Sequence, residues 1–222
     1  MPRQPLLSKC PNSGISFGAG FLEQRPKAAA LIGECIAGWT EVELQTARLL
    51  SKMLHANTEP AIALYLSLAN ERAKSDALKS IAEYAFSGQD LALFHAILKA
   101  KNSVGAQRNA LAHGLFGVAS DEAEGVAWIS TKDRIKHMLE MNKDIAHSRD
   151  AADYLKLKEF VSVYTISDLD ELLQQIADIH RIMYRFAGYV GTSNAELYQN
   201  LLNEALVQRF LSLTPADPKC KS

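Results

Sequence analysis

The chain is expected to be mainly all-α: an antiparallel bundle of four to five long helices carrying a small β-hairpin or three-stranded insertion. Apolar residues recur at helical spacing over five spans, about 26–55, 59–86, 89–113, 168–190 and 193–213. None of the seven prolines falls in the interior of these spans. The period changes to alternation only between Leu115 and Ser130 and again over Phe160–Ile166. With 222 residues, 48% of them hydrophobic, one sizeable core suffices. A single helical domain over 26–213 is therefore expected, between a flexible N-terminal arm at 1–25 and a short tail at 214–222.

The arm is rich in Pro, Gly and Ser and lacks helical periodicity. Gly14, Gly18 and Gly20 fit neither dinucleotide nor Walker spacing. The first helix begins at Pro26, well placed at a first helical position, and runs to about His55. Its polar stripe is Glu34, Glu41, Gln45, Arg48 and Lys52, opposite Ile32, Ile36, Trp39, Ala47, Leu50 and Leu54. Glu43 falls near the middle of the apolar side, where an unpaired carboxylate is costly. Either it pairs across the core, with Arg72 or Arg108 as candidates, or it faces a cleft and orients an active site. The second helix, 59–86, takes Thr58 as its N-cap and carries an i, i+4 pair, Arg72 and Asp76.

The third helix, 89–113, holds the segment with the most chemistry. Gly114 follows it and is expected to stop it in a left-handed conformation. Leu93, Ile97, Ala100, Val104 and Leu111 form an apolar stripe. On the other side lie His95, Asn102, Gly105 or Ala106, Asn109 and His113, polar but uncharged residues interrupted by small ones. That composition suits a groove or close helix approach better than a freely solvated face. At about 100° per residue, His113 lies ~40° from Asn109 and ~140° from Arg108. A hairpin over 115–130 is placed to wall a cleft at the end of this helix, with Phe116 or Trp128 either stacking on a base or, more simply, sealing the bundle. Residues 131–158 read as a long irregular connection with a weak helical signal at 133–141. Ser167-Asp168-Leu169-Asp170 then caps the fourth helix, and Ser193-Asn194-Ala195-Glu196 forms a capping box for the last. The last helix either packs on its own chain or supports an oligomer.

Arg108-Asn109-Ala110-Leu111-Ala112-His113 resembles the Arg-x4-His motif of the HEPN domain superfamily, with Asn directly after Arg. The layout from about 26 to 190 resembles that of bacterial proteins carrying Arg-Asn-x-x-Ala-His-Gly. Many HEPN members are helical, metal-independent endoribonucleases that dimerise so that two motifs meet in one cleft. The resemblance thus implies catalytic roles for Arg108 and His113, supporting roles for Asn109, Asn102 and Glu43, RNA as substrate, a homodimer and no cofactor. It equally accommodates an inactive interaction or sensor module in a defence or toxin–antitoxin system, with a cognate antitoxin protein as partner.

A net charge of −1 and pI near 6.6 argue against a protein that coats nucleic acid but leave room for a local basic cleft. Lys99, Lys101 and Arg108 are candidates to line it; Lys132, Arg134, Lys136 and His137 read more simply as a solvated charged face. Cys10, Cys35 and Cys220 are far apart, so free thiols in a cytoplasmic protein are expected, and no Cys/His spacing suggests a metal. Neither a signal peptide nor a membrane span is expected.

Overall fold

A computed structural model of the chain describes residues 3–18, 20–143 and 151–212. The protein is mainly helical with one five-stranded antiparallel sheet. In order, the elements are β1 (Gln4–Pro5), α1 (Leu6–Lys9), β2 (Ile15–Phe17), a 3-10 turn (Phe21–Gln24), α2 (Pro26–Met53), α3 (Thr58–Ser67), α4 (Glu71–Ala85) and α5 (Gly88–Ala112). The strands β3 (Gly114–Ala119) and β4 (Val126–Ser130) follow, then α6 (Thr131–Lys143), α7 (Ala151–Phe160), β5 (Ser162–Tyr164), α8 (Ile166–Thr192), α9 (Ala195–Leu202) and α10 (Ala205–Leu211). The chain forms two compact units, one of residues 1–37 and 106–174, the other of 38–105 and 175–222.

The first unit is built on the sheet, in the order β1-β5-β4-β3-β2. The expected hairpin is β3–β4, with Phe116 opposite Trp128, and the expected third strand is β5, with Ala127 opposite Val163. Two further strands come from the N-terminal segment, which pairs at both edges: Gln4 with Val163, and Ile15 with Ala119. The central strand β4 is buried from Val126 to Ile129, so it shows no alternation of exposure. Ala127 and Ile129 join Leu6, Cys10, Leu157 and Val163 in a hydrophobic cluster on one face. The connection expected to be irregular is helical over 131–143 and 151–160, and residues 144–150 lie outside the described residues. Ser130 and Asp133 cap α6 reciprocally: the Ser130 hydroxyl donates to Asp133 Oδ2 at 2.6 Å, and the Asp133 amide donates to Ser130 Oγ at 3.0 Å. The α8 cap likewise forms two residues before the expected one, between Thr165 and Asp168.

The second unit packs helices around Trp39, Tyr65, Phe94, Ile179 and Phe186, all buried. The rings of Phe86, Phe94 and Phe186 lie 5.6–6.1 Å apart. The single helix expected over 59–86 is broken into α3 and α4. Leu68 is extended, and Asn70 restarts the chain by accepting the Ala73 amide at 2.9 Å, a cap worth about 1 kcal/mol. Asn57, not Thr58, occupies the N-cap position of α3. The last helix is also split, at Asn203–Glu204, and Asn194 caps its first half by accepting from the Glu196 and Leu197 amides. Leu201 and Val207 are fully buried, and Glu204 accepts from Arg181 and Arg185, so this segment packs on its own chain. Leu213 lies outside the described residues.

Candidate functional site

The helix α5 ends one residue before His113, whose amide still donates to Asn109 O at 3.1 Å. The apolar stripe is as expected: Leu93, Ile97, Ala100, Val104 and Leu111 are all buried. On the other side Asn102, Ala106 and His113 are exposed, and His95 and Asn109 are half-buried. Gly105 departs from that face. It is buried, and a Cβ there would lie 2.8 Å from the Trp39 ring, so its smallness serves packing.

Gly114 does not take the left-handed conformation expected of a helix stop. It begins β3, and its bareness serves a different end: a Cβ would overlap the indole of Trp128, which lies directly over it. Trp128 is buried, edge-on to Tyr164 and beneath the Arg3 guanidinium at 4.1 Å, so it seals the first unit. Phe116 is half-buried and lines a cavity of about 510 Å³ with Phe17, Phe21, Gly114, Leu115 and Arg134. This hollow begins at the residue after His113.

Arg108 is half-buried. Its Nη1 donates to Asn109 Oδ1 at 3.1 Å, and its Nε is buried with no hydrogen-bond partner among the described residues. An unmade guanidinium hydrogen bond in such a place is costly unless something else satisfies it. The Thr131 hydroxyl donates to the His113 carbonyl at 2.8 Å. That bond fixes the His113 backbone and leaves the imidazole exposed. The group is thus an exposed imidazole and a guanidinium with an unused donor, both on the first unit.

Asn102 and Glu43 belong to the second unit. Asn102 donates to Ser75 Oγ at 3.2 Å. Glu43 pairs with Lys74 at 3.1 Å, neither with Arg72, which bridges to Asp76 on its own exposed helix face, nor with Arg108. Lys74 also reaches Glu71 at 3.3 Å, and Glu71 accepts from Lys101 at 3.4 Å. Lys101, a candidate for a basic cleft, is instead only 2% exposed and lies 5.5 Å from the Trp39 ring centroid. Burial pulls the Lys101 pKa below the usual lysine range, against the pull of Glu71. Burial also pushes the Glu71 carboxyl up, but Lys101, Glu43 and Lys74 outweigh it and hold the pKa below the usual range. This cluster orders α4 against α2 and α5 within the unit.

Among the second basic group, Lys132 and Lys136 are exposed, Arg134 lines the cavity and His137 is buried. Cys10 and Cys35 are buried free thiols, and burial pushes the Cys35 thiol up to about 11. Cys220 lies outside the described residues. Among the described residues no helix is long and apolar enough to cross a membrane. Arg134 was legible only as a member of a charged run, because the helical signal over 133–141 was too weak to say which face it presents. No family model, curated protein or solved structure matches this chain.

Proposed function

We propose that this protein is a cytoplasmic, metal-independent endoribonuclease of the HEPN kind, acting as a homodimer in which two copies of the motif share one cleft. The observation that carries this reading is the pairing, five residues apart, of an exposed imidazole at His113 with a guanidinium at Arg108 whose buried Nε has no partner among the described residues. The adjoining cavity, with Phe116 and Phe21 on its walls and Arg134 at its side, suits an unpaired base and its phosphate.

In this reading a histidine removes the proton from the ribose 2′-hydroxyl, whose oxygen attacks the adjacent phosphorus. The bond from phosphorus to the 5′-oxygen breaks, and the second histidine of the dimer returns a proton to that oxygen. The products are a 2′,3′-cyclic phosphate and a free 5′-hydroxyl. Arg108 stabilises the crowded phosphate with two fork nitrogens.

A test is to incubate the purified chain with a structured RNA in EDTA and map the fragment ends. Cyclic phosphate ends from the wild type and intact RNA with His113→Ala support the reading; equal cutting by both removes it. A second reading has its own observation. The hydrogen bond from Arg108 Nη1 to Asn109 Oδ1 holds the guanidinium to a side chain of its own helix, as a structural residue would be held. It favours an inactive interaction module whose partner is an antitoxin protein. If so, neither variant nor wild type cuts RNA, and substitutions on this face weaken dimerisation instead.

A further inference from the structure

We propose that a second cavity, remote in sequence from the motif, binds a small organic anion with a ring-sized apolar body: an aromatic carboxylate or an aromatic phosphate monoester. It lies within the second unit, is about 520 Å³ in volume and is lined by the end of α2, the start of α3, and residues of α8 and α9. That volume suits a small-molecule site.

Gln45 carries the argument. Periodicity places it on the exposed polar stripe of α2, yet it is only 5% exposed and lines this cavity. Its amide makes no hydrogen bond among the described residues and is not one of the sealed, unpartnered groups, so its polar end opens onto the cavity. A ligand oxygen would supply the missing partner. Around it stand two cations on consecutive turns of α2, Arg48 and Lys52, neither with an ion-pair partner among the described residues. Thr58 adds a hydroxyl and the start of α3, where the Asn57 side chain leaves the first amides uncapped.

The third cation of the wall, Arg185, is already neutralised by Glu204 at 2.6 Å. Among the described residues no carboxylate lines the cavity; Glu59 and Glu196, in the first turns of α3 and α9, are not on its wall. An anionic head group therefore sits by Arg48, Lys52 and the start of α3. The rest of the wall is Ser51, whose hydroxyl is spent on the Arg48 carbonyl, with Ala187, Gly188, Leu197 and the 64%-exposed ring of Tyr184, which give apolar surface for a body beside the head group.

The experiment titrates the full chain with phenyl phosphate, benzoate and, as the neutral control, phenol, by calorimetry and by backbone amide NMR. At least one anion binds saturably, perturbing the amides of Thr58 and Gly188, and phenol does not. Lys52→Gln weakens that binding about tenfold, the scale of one charge-assisted hydrogen bond. Gln45→Leu weakens it too while leaving the melting temperature unchanged or higher, because the amide has no hydrogen bond to the described residues to lose. The proposal is overturned if neither anion binds more tightly than about 10 mM, if phenol binds as well as they do, or if either folded variant binds like the wild type.

Discussion

Gly114 lies beneath the Trp128 indole, closely enough that the ring occupies the space a side chain on residue 114 would need. The glycine that follows the motif is thus a packing requirement of the hairpin, since Gly114 pairs with Ser130 across β3 and β4 while Trp128 pairs with Phe116. Gly114→Ala should destabilise the protein by about 1–3 kcal/mol, the usual cost of overpacking. Chemical denaturation followed by tryptophan emission in a Trp39→Phe background checks this. Unchanged stability would mean that Trp128 has somewhere else to go.

Lys101 and Glu71 give a prediction with a sign in pH. Lys101 is almost wholly buried, so replacing its carboxylate partner, as in Glu71→Gln, leaves an ammonium poorly compensated, at a cost of about 2–3 kcal/mol near neutral pH. The folded pKa of Glu71 lies below its ordinary 4.5. Its contribution is therefore present above about pH 4.5 and is lost as pH falls through the folded value. The folded pKa of Lys101 lies below 10.5, so the unfolded chain holds the extra proton, and stability from this group rises with pH through that window. Urea midpoints of wild type and variant should therefore differ most near neutrality and converge at both acid and alkaline ends. A constant difference from pH 3 to pH 10 would show that the effect is steric. Lys101→Met should be neutral or stabilising, because it removes the desolvated charge and keeps the packing on Trp39.

The contrast between Leu111 and Gln45 shows what was legible beforehand. Long-range periodicity located α2, α5 and α8 to within a few residues and sorted the α5 stripe correctly, because each buried face there repeats over several turns. It failed for Gln45, which tertiary packing draws inward against its own stripe. It also failed for Lys101, whose burial depends on a carboxylate thirty residues away in sequence. The breaks at Leu68 and Asn203 carry no proline or glycine, so only Asn70, which caps α4, and Glu204, at the N-cap position of α10 without a side-chain cap, mark them. The N-terminal strands are two and three residues long and exist by pairing with strands far along the chain, which leaves no local pattern to read. Of the candidate site, helix geometry set His113 apart from the apolar stripe, but neither its exposure nor the hydrogen bond from Arg108 to its neighbour was legible.

Glu204 accepts two hydrogen bonds from Arg181, at 3.2 and 2.9 Å, and one from Arg185, and these fasten the junction of α9 and α10 to α8. Because Arg181 is 41% exposed, the latch is worth about 1 kcal/mol rather than the several expected of a dry pair. Glu204→Gln should lower global stability by that amount while speeding amide exchange selectively in residues 195–211. Exchange that speeds equally throughout the second unit would show that this segment is part of the main cooperative core.

Arg108 offers the sharpest separation between chemistry and packing. A lysine there keeps the charge but has no Nε and no planar fork, so it cannot offer two fixed donors to a phosphate. If Arg108 stabilises the crowded phosphate, Arg108→Lys loses about 100-fold or more in RNA cleavage with little change in melting temperature. Asn109→Ala, which frees Nη1 from its 3.1 Å bond, changes the rate less, because the guanidinium itself remains. Should Arg108→Lys instead lower the melting temperature by several degrees and leave cleavage unchanged, the buried Nε serves the fold. The first of these outcomes requires that the fork reach a ligand in the working dimer. Measuring cleavage by mixtures of Arg108→Lys and His113→Ala chains then tests whether one cleft draws on both copies: recovered activity in the mixture requires a site assembled across subunits.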